Sequence, residues 1–124
     1  MASRALCRAV GYLRDAEVTR RWLLGKINKQ EINLHDTIFY TYWLGPKTLG
    51  VGLAEERYPE IKLISRVHGG DLYEARHYPP YLPYRRKILH SCTSVFAIFR
   101  HGKCYLEFFR IKDKRKKKRR KGNF

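Results

Sequence analysis

Acidic residues are scarce in this chain. Only 11 Asp and Glu stand against 27 Lys and Arg, which gives a net charge of +16 over 124 residues. Cysteine is scarce too, and its three copies, Cys7, Cys92 and Cys104, are scattered and odd in number. That pattern excludes a disulfide framework and fits a reducing compartment. No run approaches the roughly 18 apolar residues that a membrane-spanning helix needs. After Arg4 and Arg8 the N-terminal segment is broken by Arg14, Asp15 and Glu17. A secretory signal is therefore not expected, and the expected location is cytoplasmic, with peripheral contact at a membrane surface left open. No internal repeat is present. The length limits the chain to one domain with a modest core.

The missing acids are not missed evenly. Residues 110–121 hold ten of the 27 bases and one of the 11 acids, Asp113, a balance of +9. The remainder carries 17 bases against 10 acids, or +7. The expected organisation is thus a mildly basic body, residues 1–109, and a polycationic tail, residues 110–124. The tail has too little apolar surface to fold alone and is expected to be disordered.

Apolar periodicity orders the body. Ala5, Leu6, Ala9, Val10, Leu13, Val18, Trp22 and Leu23 recur at helical spacing, so residues 2–29 read as helix, with Asp15 a candidate break between two helices. Residues 37–43, β-branched and aromatic, read as a strand that Gly45-Pro46 ends. Residues 48–57 suit a short helix stopped by Pro59. Residues 61–67 form a second strand, 71–76 a turn or short helix, and the three prolines of 78–83 a loop. A helix follows from Pro83 to about His90, a third strand over 94–99 and a helix over 101–109. Alternation of strand and helix implies an α/β fold with a small parallel, Rossmann-like sheet, helices flanking it in three layers, and right-handed crossovers.

The chemistry gathers where the second strand ends, at His68-Gly69-Gly70-Asp71. In open α/β sheets ligands bind past the carboxyl ends of strands. Glycine permits positive φ and close approach to a ligand. A neutral imidazole can donate to a sugar hydroxyl or a phosphate, and a carboxylate can hold a hydroxyl. The bland alternative is a plain tight turn whose His and Asp cap the next element.

The wider segment, Ser65-Arg66-Val67-His68-Gly69-Gly70-Asp71-Leu72-Tyr73-Glu74, resembles a stretch in the N-terminal domain of bacterial retaining glycosyltransferases of family 4 (group 1), worded there Ser-Arg-Ala-His-Gly-x-Asp-Leu-Tyr-Glu. The flanks agree: Asp36 to Gly45 is similar to the preceding strand, Pro83 to Leu89 to the following helix, and Ser94 to Ile98 with Gly102-Lys103 and Tyr105-Leu106 to the strand and segment that close the stretch. The likeness spans about residues 31–107. It implies part of a GT-B N-terminal domain, from an enzyme that moves a hexose from a nucleotide-sugar to a glycan or lipid-linked acceptor in polysaccharide biosynthesis, with retained configuration. The nucleotide-sugar would be substrate, and no cofactor or metal is implied. By this resemblance His68 would be catalytic, in the cleft beside the transferred sugar or donor phosphates. Gly69 and Gly70 would keep the turn tight there, and Arg66 and Asp71 would be supporting or acceptor-side residues. The family's second domain, with paired glutamates and the basic residues that grip the diphosphate, has no counterpart in these 124 residues, nor has its early glycine-rich loop. The implied object is a fragment, inactive alone.

Other features carry less. The run Lys114 to Lys121 suits nucleic-acid phosphates or anionic lipid headgroups, or is simply solvated. A small basic nucleic-acid-binding protein acting through this tail is the rival function. Arg85-Arg86-Lys87 reads as a solvated basic helix face. His101 with Cys104, and His90 with Cys92, are too few for a four-ligand zinc site. Cys7 reads as core, and Tyr40, Tyr42 and Trp43 as strand aromatics whose commoner role is packing, with stacking on a sugar ring the alternative.

Overall fold

A computed structural model describes residues 2–77 and 81–107. The polycationic tail, and Tyr78 to Pro80 of the proline loop, lie outside the described residues. The elements run α1 (Ala2–Asn28), β1 (Ile38–Thr41), α2 (Pro46–Glu55), β2 (Lys62–Val67), α3 (Gly69–Leu72), a 3-10 turn (Glu74–Arg76), α4 (Arg85–Ser91) and β3 (Ser94–Ala97). Residues 100–107 are helical as well. The three strands form one parallel sheet in the order β1-β2-β3, with Tyr40 beside Ile64 and Arg66 beside Phe96. The fold is therefore α/β with a small, wholly parallel sheet, as the alternation implied. No helix among the described residues is long and apolar enough to cross a membrane.

Asp15 does not break the first helix; α1 runs on for 27 residues. An interior Asp costs only about 0.5–0.7 kcal/mol relative to Ala. Against that, Ala16 and Leu23 are fully buried, and Glu17 bridges Arg20 and Arg21 along the helix surface at 2.5 and 2.9 Å. The helix ends in a Schellman motif: the Glu31 N–H donates to the Lys26 carbonyl and the Gln30 N–H to that of Ile27. Gln30 takes the left-handed conformation there, φ 58°. Cys7 is exposed rather than core. It lies nine residues before the buried Ala16, and at about 100° per residue that is half a turn away from the packed side.

α2 is the centre of the helical layer. Gly45 precedes it and Pro46 opens it, where the missing N–H costs nothing. Thr48, Leu49, Gly50, Val51, Gly52 and Ala54 are all buried, because α2 touches the sheet, α1 and α4 at once. Its glycines make the close approaches. A Cβ on Gly50 would stand 2.6 Å from the Ala16 carbonyl oxygen and 2.6 Å from Thr19 Cβ, and one on Gly52 would stand 2.6 Å from Ser91 Cβ of α4.

The core lies between this layer and one face of the sheet. One cluster joins Ala16, Leu49, Val67, Leu72 and Ile88; another joins Leu23, Val51, Ala54, Ile61 and Leu63. Each fully buried Leu or Val contributes roughly 1.5–3 kcal/mol of transfer free energy. Phe39, Leu63, Val67, Val95 and Ala97 point into these clusters. The alternate strand residues point the other way, and Ile38, Tyr40 and Phe96 are more than half exposed. The expected three layers are therefore two among the described residues. The physical reason is topological. Crossovers of one hand that step in one direction, β1 to β2 to β3, place their helices on the same face.

Candidate functional site

The carboxyl ends of β1 and β2 meet in one corner. β1 stops at Thr41, two residues earlier than the aromatic run implies. Tyr42 and Trp43 leave the sheet and lean over His68, with ring centroids 4.8 and 4.0 Å from the imidazole. The two aromatics meet edge to face at 5.5 Å. Their outer surfaces remain more than half exposed, so they are not core residues. The His68 side chain retains only 14% of its accessible surface. Its Nδ1 is buried and has no hydrogen-bond partner among the described residues. The nearest carboxylate oxygen, Asp71 Oδ2, lies 3.8 Å away.

Asp71 holds the corner together. Its Oδ2 accepts from the Leu44 N–H at 2.8 Å and its Oδ1 from the His68 N–H at 2.5 Å. One carboxylate thus ties the loop after β1 to the loop after β2. His68 to Asp71 is not the tight, positive-φ turn that the glycines suggested. No described glycine has positive φ, and Gly69-Gly70-Asp71 begins the short helix α3. Gly69 is buried, with the Arg76 guanidinium over the position of its missing side chain. Gly70 is exposed and open, and its carbonyl meets His77 Nε2 at 2.5 Å. Arg66 is exposed on the open face of β2, two residues before His68, and makes no hydrogen bond to His68, Gly69 or Asp71 among the described residues.

Two further supports escaped the reading of the sequence. The first is a buried chain of hydroxyls beneath the corner. Thr41 Oγ1 donates to Ser65 Oγ at 2.8 Å and lies 2.8 Å from Thr48 Oγ1, and Thr48 donates to the Trp43 carbonyl at 2.9 Å. Thr48 and Ser65 are completely buried. Hydroxyl residues at the ends of apolar strands and in the first turn of an otherwise apolar helix were the available clue. The second is Arg85. It is buried rather than solvated, and it donates to the carbonyls of Asp71 and Leu72, which anchors α3 to the start of α4. Burial lowers its pKa, against the opposing pull of Tyr105, Glu74, Asp71 and Tyr12. Arg86 is exposed, and Lys87 pairs with Glu56 at 2.5 Å.

Tyr73 borders the corner on its other side, with its hydroxyl 2.6 Å from His101 Nδ1 and its ring against Tyr105. A hollow of about 530 Å³ lies at the opposite, amino end of the sheet, lined by residues including Ile32, His35, Tyr58 and Lys62. It shares no residue with the His68 corner and is not the candidate site.

Chemically the corner offers an imidazole edge framed by two aromatic faces at the position where parallel α/β sheets receive ligands. Comparison of the chain with protein-family models, with curated proteins and with solved structures returns no match.

Proposed function

We propose that the His68 corner is the sugar-facing part of a retaining glycosyltransferase of the GT-B type. The observation that carries this reading is the placement of the His68 imidazole at the carboxyl end of β2, between Tyr42 and Trp43, with the His68 backbone N–H held by Asp71. An imidazole so held can donate to a hexose hydroxyl or phosphate oxygen, while the open aromatic faces stack on the apolar face of the ring. In this reading His68 is catalytic, Gly69 and Gly70 keep backbone close to the sugar, Asp71 is a positioning residue, and Arg66 serves a more distant part of the acceptor. The reaction moves a hexose from a nucleotide-sugar to a glycan or lipid-linked acceptor. Diphosphate contacts come from a second domain, so the 124 residues bind sugar weakly and do not turn over alone.

The test is a titration of the ¹⁵N-labelled chain with nucleotide-hexoses and with hexose oligosaccharides. Shifts confined to the Gly69 and Gly70 amides and the Trp43 indole, lost in a folded His68→Ala variant, are expected. Absence of such shifts with every sugar, or their survival in His68→Ala, sinks the reading. The ten bases among residues 110–121 support a second reading, binding to nucleic-acid phosphates. That reading predicts duplex DNA binding that falls steeply with salt and is indifferent to His68→Ala.

A further inference from the structure

All-parallel sheets are normally covered on both faces. Among the described residues, the sheet of this chain is covered on one. On its other face the register sets Ile38 beside Lys62, Tyr40 beside Ile64, and Arg66 beside Phe96. Ile38, Tyr40 and Phe96 are more than half exposed, Ile64 is half-buried, and Lys62 and Arg66 are exposed. The result is an apolar patch whose central strand carries a cation at each end. Neither cation forms an ion pair among the described residues; the Lys62 ammonium meets only the neutral His35 carbonyl. No carboxylate is among the residues that the three strands turn to this face.

Dimensions and charge narrow the occupant. The two outer strands lie about 10 Å apart, two inter-strand spacings. That is the width of a single α-helix with its side chains. From Lys62 to Arg66 the strand rises about 13 Å, which two to three helical turns would span. A second copy of the chain would bring the same two cations and another +16 of charge. The run Lys114 to Lys121 consists wholly of bases and would meet like charge. We propose that this open face docks an amphipathic helix of a partner protein, with its apolar stripe on Ile38, Tyr40, Ile64 and Phe96 and flanking carboxylates on Lys62 and Arg66. The inference shares only Arg66 with the sugar reading, where that residue serves the acceptor, and Phe96, which has no part in that reading, separates the two.

The experiment measures binding of the full chain to three fluorescent 20-residue helical peptides at low and at physiological salt. One carries a leucine stripe flanked by Glu, one the same stripe flanked by Lys, and one the Glu and Leu residues in scrambled order. The expected result is at least tenfold tighter binding of the Glu-flanked stripe than of either control, with that preference lost in Phe96→Asp and reduced in Arg66→Glu. Both substitutions are at exposed positions, and unchanged circular dichroism verifies the fold. Equal binding of the scrambled peptide would assign the affinity to diffuse charge and overturn the proposal. So would failure of the Glu-flanked peptide to bind. A chain dimer at micromolar concentration that Phe96→Asp dissociates would replace the partner helix with a second copy. Binding to vesicles of mixed phosphatidylcholine and phosphatidylserine that Phe96→Asp abolishes would replace it with a lipid surface.

Discussion

Removing the Asp71 carboxylate is the most direct test of how the corner is built. In Asp71→Ala the N–H groups of Leu44 and His68 lose their acceptors, which now lie at 2.8 and 2.5 Å. Hydrogen bonds to a charged group contribute about 1.5–3 kcal/mol each, and a buried donor left alone incurs its own desolvation penalty. Leu44 is buried and His68 half-buried, so values near the lower end apply, and the sum is about 3 kcal/mol. Against a total of roughly 0.05–0.15 kcal/mol per residue this is a large share of stability. For a chain of this size it corresponds to a fall in Tm of about 12 °C. Urea unfolding followed by circular dichroism reads the free energy, and hydrogen exchange of the Leu44 and His68 amides reads the local cause. A loss below about 1 kcal/mol, or unchanged exchange at both amides, would refute the bridging role of Asp71.

Gly50→Ala should destabilise by about 1–3 kcal/mol, because the new methyl meets the backbone of α1, and this outweighs the roughly 1 kcal/mol gain in helix propensity. Gly25→Ala, at a position with nothing within 4 Å, should instead stabilise by about 0.5–1 kcal/mol; equal responses of the two variants in urea unfolding would contradict the packing described for α2. Gln30→Gly should stabilise by about 1 kcal/mol, since Gln30 is exposed and sits at φ 58°, and a thermal melt no higher than that of the parent would count against it. Burial, reinforced by Glu55, pushes the Cys92 thiol up to about 12. At pH 8, thiol reagents should therefore label the exposed Cys7 and Cys104 promptly and Cys92 only on unfolding; rapid labelling of all three would show that the site is open.

Much of the fold was legible because its causes are local. The β-branched run 61–67 and the Gly45-Pro46 pair that closes the first strand segment each act through a few neighbouring residues. The His68 corner was legible for the same reason, since it follows directly from a strand end. What escaped depends on partners distant in the chain. Asp71 reads as a local cap or an acceptor-side carboxylate, and its second bond, from the Leu44 N–H 27 residues earlier, has no local signal. Arg85 reads as a surface cation until the carbonyls of Asp71 and Leu72 enclose it. Cys7 reads as core from the apolar side of the first helix and the strand aromatics from residue type, whereas their exposure is decided by which face of the sheet and of α1 is covered. The break expected at Asp15 was a propensity argument, and packing of Ala16 and Leu23 overrode it.

The buried hydroxyls of Thr41, Thr48 and Ser65 also bear on fidelity of folding. Apolar residues pack in many ways, and both faces of β1 carry bulky side chains, so hydrophobicity alone discriminates weakly between alternative pairings of β1 with β2. Sliding β1 by one residue would turn Ile38 and Tyr40 toward the helices and move the Thr41 hydroxyl to the open face. Ser65 would lose its donor and Thr48 its neighbour, both in dry surroundings where a lost hydrogen bond costs about 0.5–1.5 kcal/mol. Three small polar side chains thus act as a checksum on strand alignment, and the misaligned state is rejected at the same place where Trp43 is set over His68.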